Sequence, residues 1–107
     1  MSALIWAAFG SLDDAKAAAK SLLEEELIAC ANVMPAVHSI FCWQGEIGEA
    51  QECGALFKTD RRLLQQAVTR LEELHPYESP AIFGWHCDEA GAAAQNWLGE
   101  LQGLGKV

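Results

Sequence analysis

The sequence predicts an α+β domain: a ferredoxin-like β-α-β-β-α-β sandwich with a long central hairpin and a C-terminal helix. Three observations predict it. Two amphipathic stretches, Leu12 to Glu26 and a second ending at Leu74, alternate with apolar runs that lack helical spacing. A tract of alternating residues from Ala36 turns at Gln44-Gly45 and returns to about Thr59, which is hairpin patterning. A stiff connector, His75-Pro76-Tyr77-Glu78-Ser79-Pro80, then separates the second helix from a last apolar run.

Ala3 to Phe9 is apolar and stops at Gly10-Ser11, so it reads as a buried first strand. Ser11 with Asp14 three residues on resembles a capping box. Ala15, Ala19, Leu22 and Leu23 form the apolar stripe of the helix that follows. Leu27 to Val33 turns apolar without helical spacing and leads to Pro35, which cannot donate to a ladder and marks a bulge or bend in one long strand. Val37, Ser39, Phe41 and Trp43 share one face of that strand; His38, Ile40, Cys42 and Gln44 share the other. The returning strand is acidic from Glu46 to Glu52 and apolar from Cys53, so the hairpin tip projects past the core.

Thr59 or Asp60 can cap the second helix, whose broad apolar face is Leu63, Leu64, Ala67, Val68, Leu71 and Leu74. Each proline of the connector pushes the residue before it, His75 and Ser79, out of the helical region. Ala81 to Cys87 is the fourth strand, and Ala93, Trp97, Leu101 and Leu104 line the last helix, with Gly103 and Gly105 fraying its end. Apolar residues on both faces of the central hairpin make self-association the simplest cover for the sheet.

The 107 residues fit one domain, 1–107. Net charge is -8, and the only adjacent basic pair is Arg61-Arg62, so no nucleic acid partner is expected. No apolar run approaches the ~20 residues that span a bilayer, so no membrane partner is expected. The N-terminal residues lack a charged region and a long apolar core, and Cys30, Cys42, Cys53 and Cys87 contain no C-x-x-C spacing. Reduced thiols in a cytoplasm are the expectation.

His75 and Glu78 are near enough in sequence to converge on one ion, through imidazole and carboxylate donors that suit copper(II). The alternative for Glu78 is a carboxylate that accepts backbone N–H bonds; for Tyr77 it is packing between subunits. His38 and Cys42 stand about 13 Å apart along a strand and cannot share an ion without a bend. Lys58 either pairs with a nearby carboxylate or serves a cleft.

Leu27-Ile28-Ala29-Cys30-Ala31-Asn32, Trp43-Gln44-Gly45-Glu46-Ile47, Lys58-Thr59, His75-Pro76-Tyr77-Glu78-Ser79-Pro80 and Trp97-Leu98, in this order and spacing, resemble the CutA family of divalent-cation tolerance proteins. The resemblance spans nearly the whole chain. It implies a ferredoxin-like fold, a tight homotrimer in which long hairpins extend neighbouring sheets, and a part in tolerance of copper and other divalent metals. It implies bound copper or another divalent ion, with no cofactor required. His75 is then the candidate metal ligand, with Glu78 beside it, and Trp43, Lys58, Tyr77 and Glu78 line clefts between subunits. The trimer also resembles PII signalling proteins, which implies the alternative of a regulatory or scaffold trimer that binds a small ligand or protein. The chain departs from the family pattern at Ala7, where some members have cysteine, at Leu74, where some have histidine, and at Glu46, where lysine is usual.

No enzyme activity is expected. An acylphosphatase-type phosphate cradle needs an arginine after a glycine loop, and Phe9 to Asp14 carries two aspartates and no arginine. No Ser/His/Asp or Cys/His order stands out.

Overall fold

The structure, a computed structural model, describes residues 1–103. Leu104 and Gly105, expected to close the last helix, lie outside the described residues. The elements run β1 (Ser2–Phe9), α1 (Leu12–Glu24), β2 (Cys30–Trp43), β3 (Glu46–Asp60), a short 3-10 turn (Arg61–Leu63), α2 (Leu64–Leu74), β4 (Ile82–His86) and α3 (Ala92–Gly99). The four strands form one antiparallel sheet in the order β2-β3-β1-β4. That is the split-βαβ arrangement, with β1 and β3 central and β2 and β4 at the edges.

Local chemistry explains each boundary. Ser11 caps α1, its hydroxyl accepting from the Asp14 N–H at 3.1 Å. Glu26, at φ 56, ends α1 in the left-handed region. Gln44 and Gly45, at φ 52 and 83, make the two-residue turn whose twist matches the strands it joins. The β2–β3 register shifts between Met34 and Val37, so Pro35 sits in a bulge and β2 stays one strand. Gly54 allows the Trp6 ring and Val37 to lie against β3, where a Cβ would collide with both.

α1 and α2 cover one face of the sheet. Ile5, Ala7, Phe9, Ala55 and Phe57 point into the core with Ala15, Ala18, Ala19, Leu22, Ala67 and Leu71. Strand alternation sends the neighbouring residues to the opposite face, where Trp6 pairs with Leu56 and Phe83, and Leu4 with Trp85. Phe83 and Trp85 remain 62% and 44% exposed there. Two expected apolar stripes shift. Leu23 is 41% exposed, and Ala18 takes its place in the core. In α3 the helix stops at Gly99 and Leu98 is the buried residue, while Trp97 is exposed. α3 packs chiefly on β1 and β3, with Leu98 as its buried residue.

Asp60 ties these pieces together. Its carboxylate accepts from the Arg62 N–H at 3.0 Å and from Arg62 Nε at 2.7 Å, and it pairs with the Met1 ammonium at 3.2 Å. Arg62 also donates to the carbonyls of Gly99 and Leu101, both at 3.1 Å, which anchors the end of α3. Burial alone raises the Asp60 carboxyl, but the Arg62 and Met1 hydrogen bonds outweigh it and hold the group below its ordinary 3.8. A depressed folded-state value contributes stability above 3.8 that is lost as pH falls through the folded-state value. Asp60→Asn should therefore lower stability at neutral pH by roughly 1–3 kcal/mol, the cost of a lost buried charge-assisted network. Urea unfolding between pH 7 and 2 checks both parts: the wild-type protein should lose stability more steeply below pH 3.8 than the variant.

Candidate functional site

The connector after α2 is fixed before it displays anything. His75 ends α2 in an extended conformation, φ -71 and ψ 132, because Pro76 follows it, and its N–H still donates to Leu71 O at 2.9 Å. The His75 side chain is then turned inward and is 6% exposed. Its ring stacks on Phe9 at 4.3 Å, with planes 12° apart. Nε2 meets the Ala8 carbonyl at 2.8 Å, and Nδ1 accepts the Tyr77 N–H at 3.1 Å. A carbonyl needs a donor and an N–H needs an acceptor, so these partners assign the hydrogen to Nε2.

That geometry sets what metal binding at His75 would require. Both ring nitrogens are used inside the subunit, and a metal would have to displace the Tyr77 N–H to reach Nδ1. The role the structure gives His75 is to hold the connector against β1.

Tyr77 reaches across the gap to the hairpin. Its phenol donates to Glu52 Oε2 at 2.6 Å and lies against Gly10. The His75 and Tyr77 rings are 4.7 Å apart. Between hairpin and connector lies a cleft of about 780 Å³, with Phe41, Trp43 and Glu52 on one side and Tyr77, Glu78 and Ser79 on the other. None of the described residues lining it is Lys, Arg or His. The Glu78 carboxylate has no hydrogen-bond or ion-pair partner among the described residues, so the fixing role open to it in the sequence is not taken.

Within the one chain, Trp43, Tyr77 and Glu78 line a single cleft and Lys58 lies apart from it. Lys58 pairs across the sheet with Leu4 and Cys30, six residues along β3 from Glu52, or roughly 20 Å. It forms no ion pair among the described residues, Asp60 being taken by Arg62 and Met1. Glu52 is the site residue that sequence reading missed. His38 pairs with Glu49 at 2.8 Å on the exposed hairpin, a contact worth little in water. No group of three or more His, Cys, Asp or Glu poised for a metal occurs among the described residues. A smaller hollow of about 310 Å³, beside β4, is lined by Arg61, Gln65 and His86 among others and contains none of the expected site residues.

Residues 3–101 match the family model described as CutA1 divalent ion tolerance protein. The chain is 36% identical to the divalent-cation tolerance protein CutA of Pyrococcus horikoshii over 95 residues, 89% of this chain and 92% of the relative. It is 39% identical to the CutA of Thermus thermophilus over 89 residues, 83% and 86% of the two chains. The crystal structure of the divalent ion tolerance protein CutA1 from Ehrlichia chaffeensis superimposes with a TM-score of 0.87 at 31% identity, covering 92% of each chain. The structure of the periplasmic divalent cation tolerance protein CutA from Archaeoglobus fulgidus gives 0.87 at 29% identity, covering 94% and 97%.

The Tyr77–Glu52 bond makes a direct prediction. Burial first, and the Glu52 carboxylate second, push the Tyr77 phenol up from 10.0 to about 12. Tyr77 is the single tyrosine of the chain, so phenolate absorbance near 295 nm reports it alone. The titration should have its midpoint near 12, and Glu52→Gln should bring it down toward 10.0. A raised folded-state value contributes stability present below 10.0 and lost as pH rises toward 12, so the unfolding midpoint in urea should fall over that window.

Proposed function

Because the chain belongs to the CutA1 divalent ion tolerance family, we propose that it serves divalent-cation tolerance as a homotrimer that binds ions such as copper(II) and catalyses no reaction. The cleft between hairpin and connector carries the reading. Glu52 and Glu78 line it, and carboxylates are donors for divalent ions. Among the described lining residues none is Lys, Arg or His to offset the carboxylates, and a net charge of -8 adds a field that gathers cations. Two donors from one chain leave coordination positions for water or for a neighbouring copy.

Trimerisation is supported by the open features of the sheet. β2 and β4 are edge strands, and an unpaired edge invites pairing with another copy. Phe83 and Trp85 add an exposed apolar face, and Ile40, Phe41, Trp43 and Ile47 an exposed apolar hairpin. Four unpaired cysteines suit a reducing, cytoplasmic compartment. The aromatic lining of the same cleft, from Phe41, Trp43 and Tyr77, favours a PII-like ligand-binding trimer as the second reading.

Copper(II) titration followed by calorimetry and EPR, with mass measured by light scattering, tests the proposal. The expected results are a trimer and a stoichiometric site whose EPR spectrum shows oxygen donors. Glu78→Gln should weaken binding about tenfold, the equivalent of ~1.4 kcal/mol. His75→Ala should lower thermal stability and leave the spectrum free of nitrogen couplings, as in the wild-type protein. Nitrogen couplings that vanish in His75→Ala would instead make His75 the ligand, and binding untouched by both Glu52→Gln and Glu78→Gln would remove the cleft from metal binding.

A further inference from the structure

We propose that Arg62 is a latch: it fastens α3 and the segment up to Gly103 as a strap that opens to water while the rest of the fold stays closed. The latch is independent of what fills the cleft, and it is built from contacts inside one chain.

α3 does not hold itself. It has eight residues, Ala92–Gly99, and a helix shorter than ~12–15 residues is marginal alone in water. Gly91 precedes it and supplies no side-chain cap. Its first turn carries no acid and its last turn no base, so no side chain complements the helix dipole. The order of α3 must therefore come from outside it. One of its side chains, Leu98, is buried, where the helix packs on β1 and β3.

The fastenings lie at the two ends. Where the chain leaves β4, the Cys87 N–H donates to Ser2 O at 3.0 Å. From residue 88 to residue 98 no hydrogen bond ties the segment to the rest of the chain among the described residues. At the far end Arg62 Nη2 donates to Gly99 O and to Leu101 O, both at 3.1 Å. Carbonyls at a helix C-terminus lack partners within the helix, and a cation there also suits the dipole. Gly103 completes the fastening. Its N–H donates to Glu26 O at 3.1 Å, and its backbone lies so close to Leu63 that a Cβ would come within 2.6 Å of that side chain.

The support behind Arg62 makes it a latch. Its Nε donates to Asp60 Oδ2 at 2.7 Å, and its backbone N–H donates to the same oxygen at 3.0 Å. The Asp60 side chain is 3% exposed and that of Arg62 is 52% exposed. A buried carboxylate thus aims an exposed guanidinium at two carbonyls. The fork has donors for both partners at once, whereas an ammonium is a single point of charge. When the strap lifts, those carbonyls pass to water and Leu98 leaves β1 and β3. The core under α1 and α2 stays packed, so this opening lies below global unfolding in free energy.

Native-state hydrogen exchange in low urea, on the full chain in its solution assembly, tests the latch. Amides of residues 96–101 should exchange faster than those of β1 and β3, with a weaker dependence on urea because little surface is exposed. Arg62→Gln should speed exchange of residues 96–101 about tenfold, the size expected for lost hydrogen bonds to a charged group. Arg62→Lys, which keeps the charge and loses the fork, should act in the same direction. Asp60→Asn should also speed these amides, and its effect should not add to that of Arg62→Gln, since both remove one latch. Ile5→Val is the converse variant, placed in the core away from the strap. It should speed exchange in β1 and β3 several-fold and leave residues 96–101 unchanged, because its contacts persist when the strap is open. Circular dichroism and light scattering confirm that each variant folds and assembles as the wild type does. Residues 96–101 as slow as β1 and β3, or speeded by Ile5→Val as much as they are, would show that no separate opening exists. Exchange of residues 96–101 unchanged by both Arg62 variants would remove Arg62 as the latch.

Discussion

The His75 side chain runs from the Ala8 carbonyl in β1 to the Tyr77 N–H in the connector, and the position of the cleft's outer wall follows from those two bonds. α2 ends at His75 because Pro76 forbids another helical turn. Without an inward anchor, the six residues from His75 to Pro80 would have little to fix their path. The ring supplies that anchor by stacking on Phe9, itself fully buried in the core. Tyr77 then begins from a fixed point, which allows its phenol to meet Glu52 on the hairpin. The core, the connector and the hairpin are thereby joined in one chain of contacts.

The second constraint is the one-sided cover of the sheet. Two helices bury Ile5, Phe9, Ala55 and Phe57, and alternation then sends Leu4, Trp6, Leu56, Phe83 and Trp85 to the other side. A 14-residue β2 and a 15-residue β3 are longer than the helices can shelter, so their distal halves stand clear of the core. The bulge at Met34–Val37 adds local twist where the sheltered half gives way to the projecting half. The cleft forms at this transition, since only a hairpin that leaves the core can stand opposite the connector with a gap between them.

Much of the fold was legible in the sequence because its signals are local. Ser11 with Asp14, Gln44-Gly45, Pro35 and the two prolines of the connector each act within a few residues, and the structure uses each at the predicted place. Leu23 and Trp97 were misplaced because a helical stripe of small residues leaves the buried arc uncertain by one position; the packing of α1 and α3 on their neighbours chose Ala18 and Leu98. The site was less legible. Trp43, Tyr77 and Glu78 line one cleft of the chain, but nothing in the spacing of Glu52 and Tyr77, 25 residues apart, announces a 2.6 Å bond. For His75 the residue type was informative and its use was not. A histidine beside titratable neighbours offers two nitrogens, and only the tertiary structure shows that a carbonyl and an N–H occupy them. Lys58 was grouped with an intersubunit cleft by resemblance; within its own chain the β3 register pairs it with Leu4 and Cys30.

The Tyr77–Glu52 bond also sets how the cleft can respond to an occupant. The phenol keeps its proton to high pH, so at neutral pH Tyr77 is a donor and Glu52 an acceptor with lone pairs still free on its second oxygen. A cation drawn to Glu52 lowers the electron density the phenol sees and weakens that bond; a cation drawn to Glu78 leaves it intact. Glu78 lies beside Tyr77 on the connector, and the Tyr77 N–H is held by His75. A pull on Glu78 therefore acts on the connector against its anchor, whereas a pull on Glu52 acts on the hairpin. An occupant bridging both carboxylates would tie hairpin and connector together across the same gap that the phenol already spans.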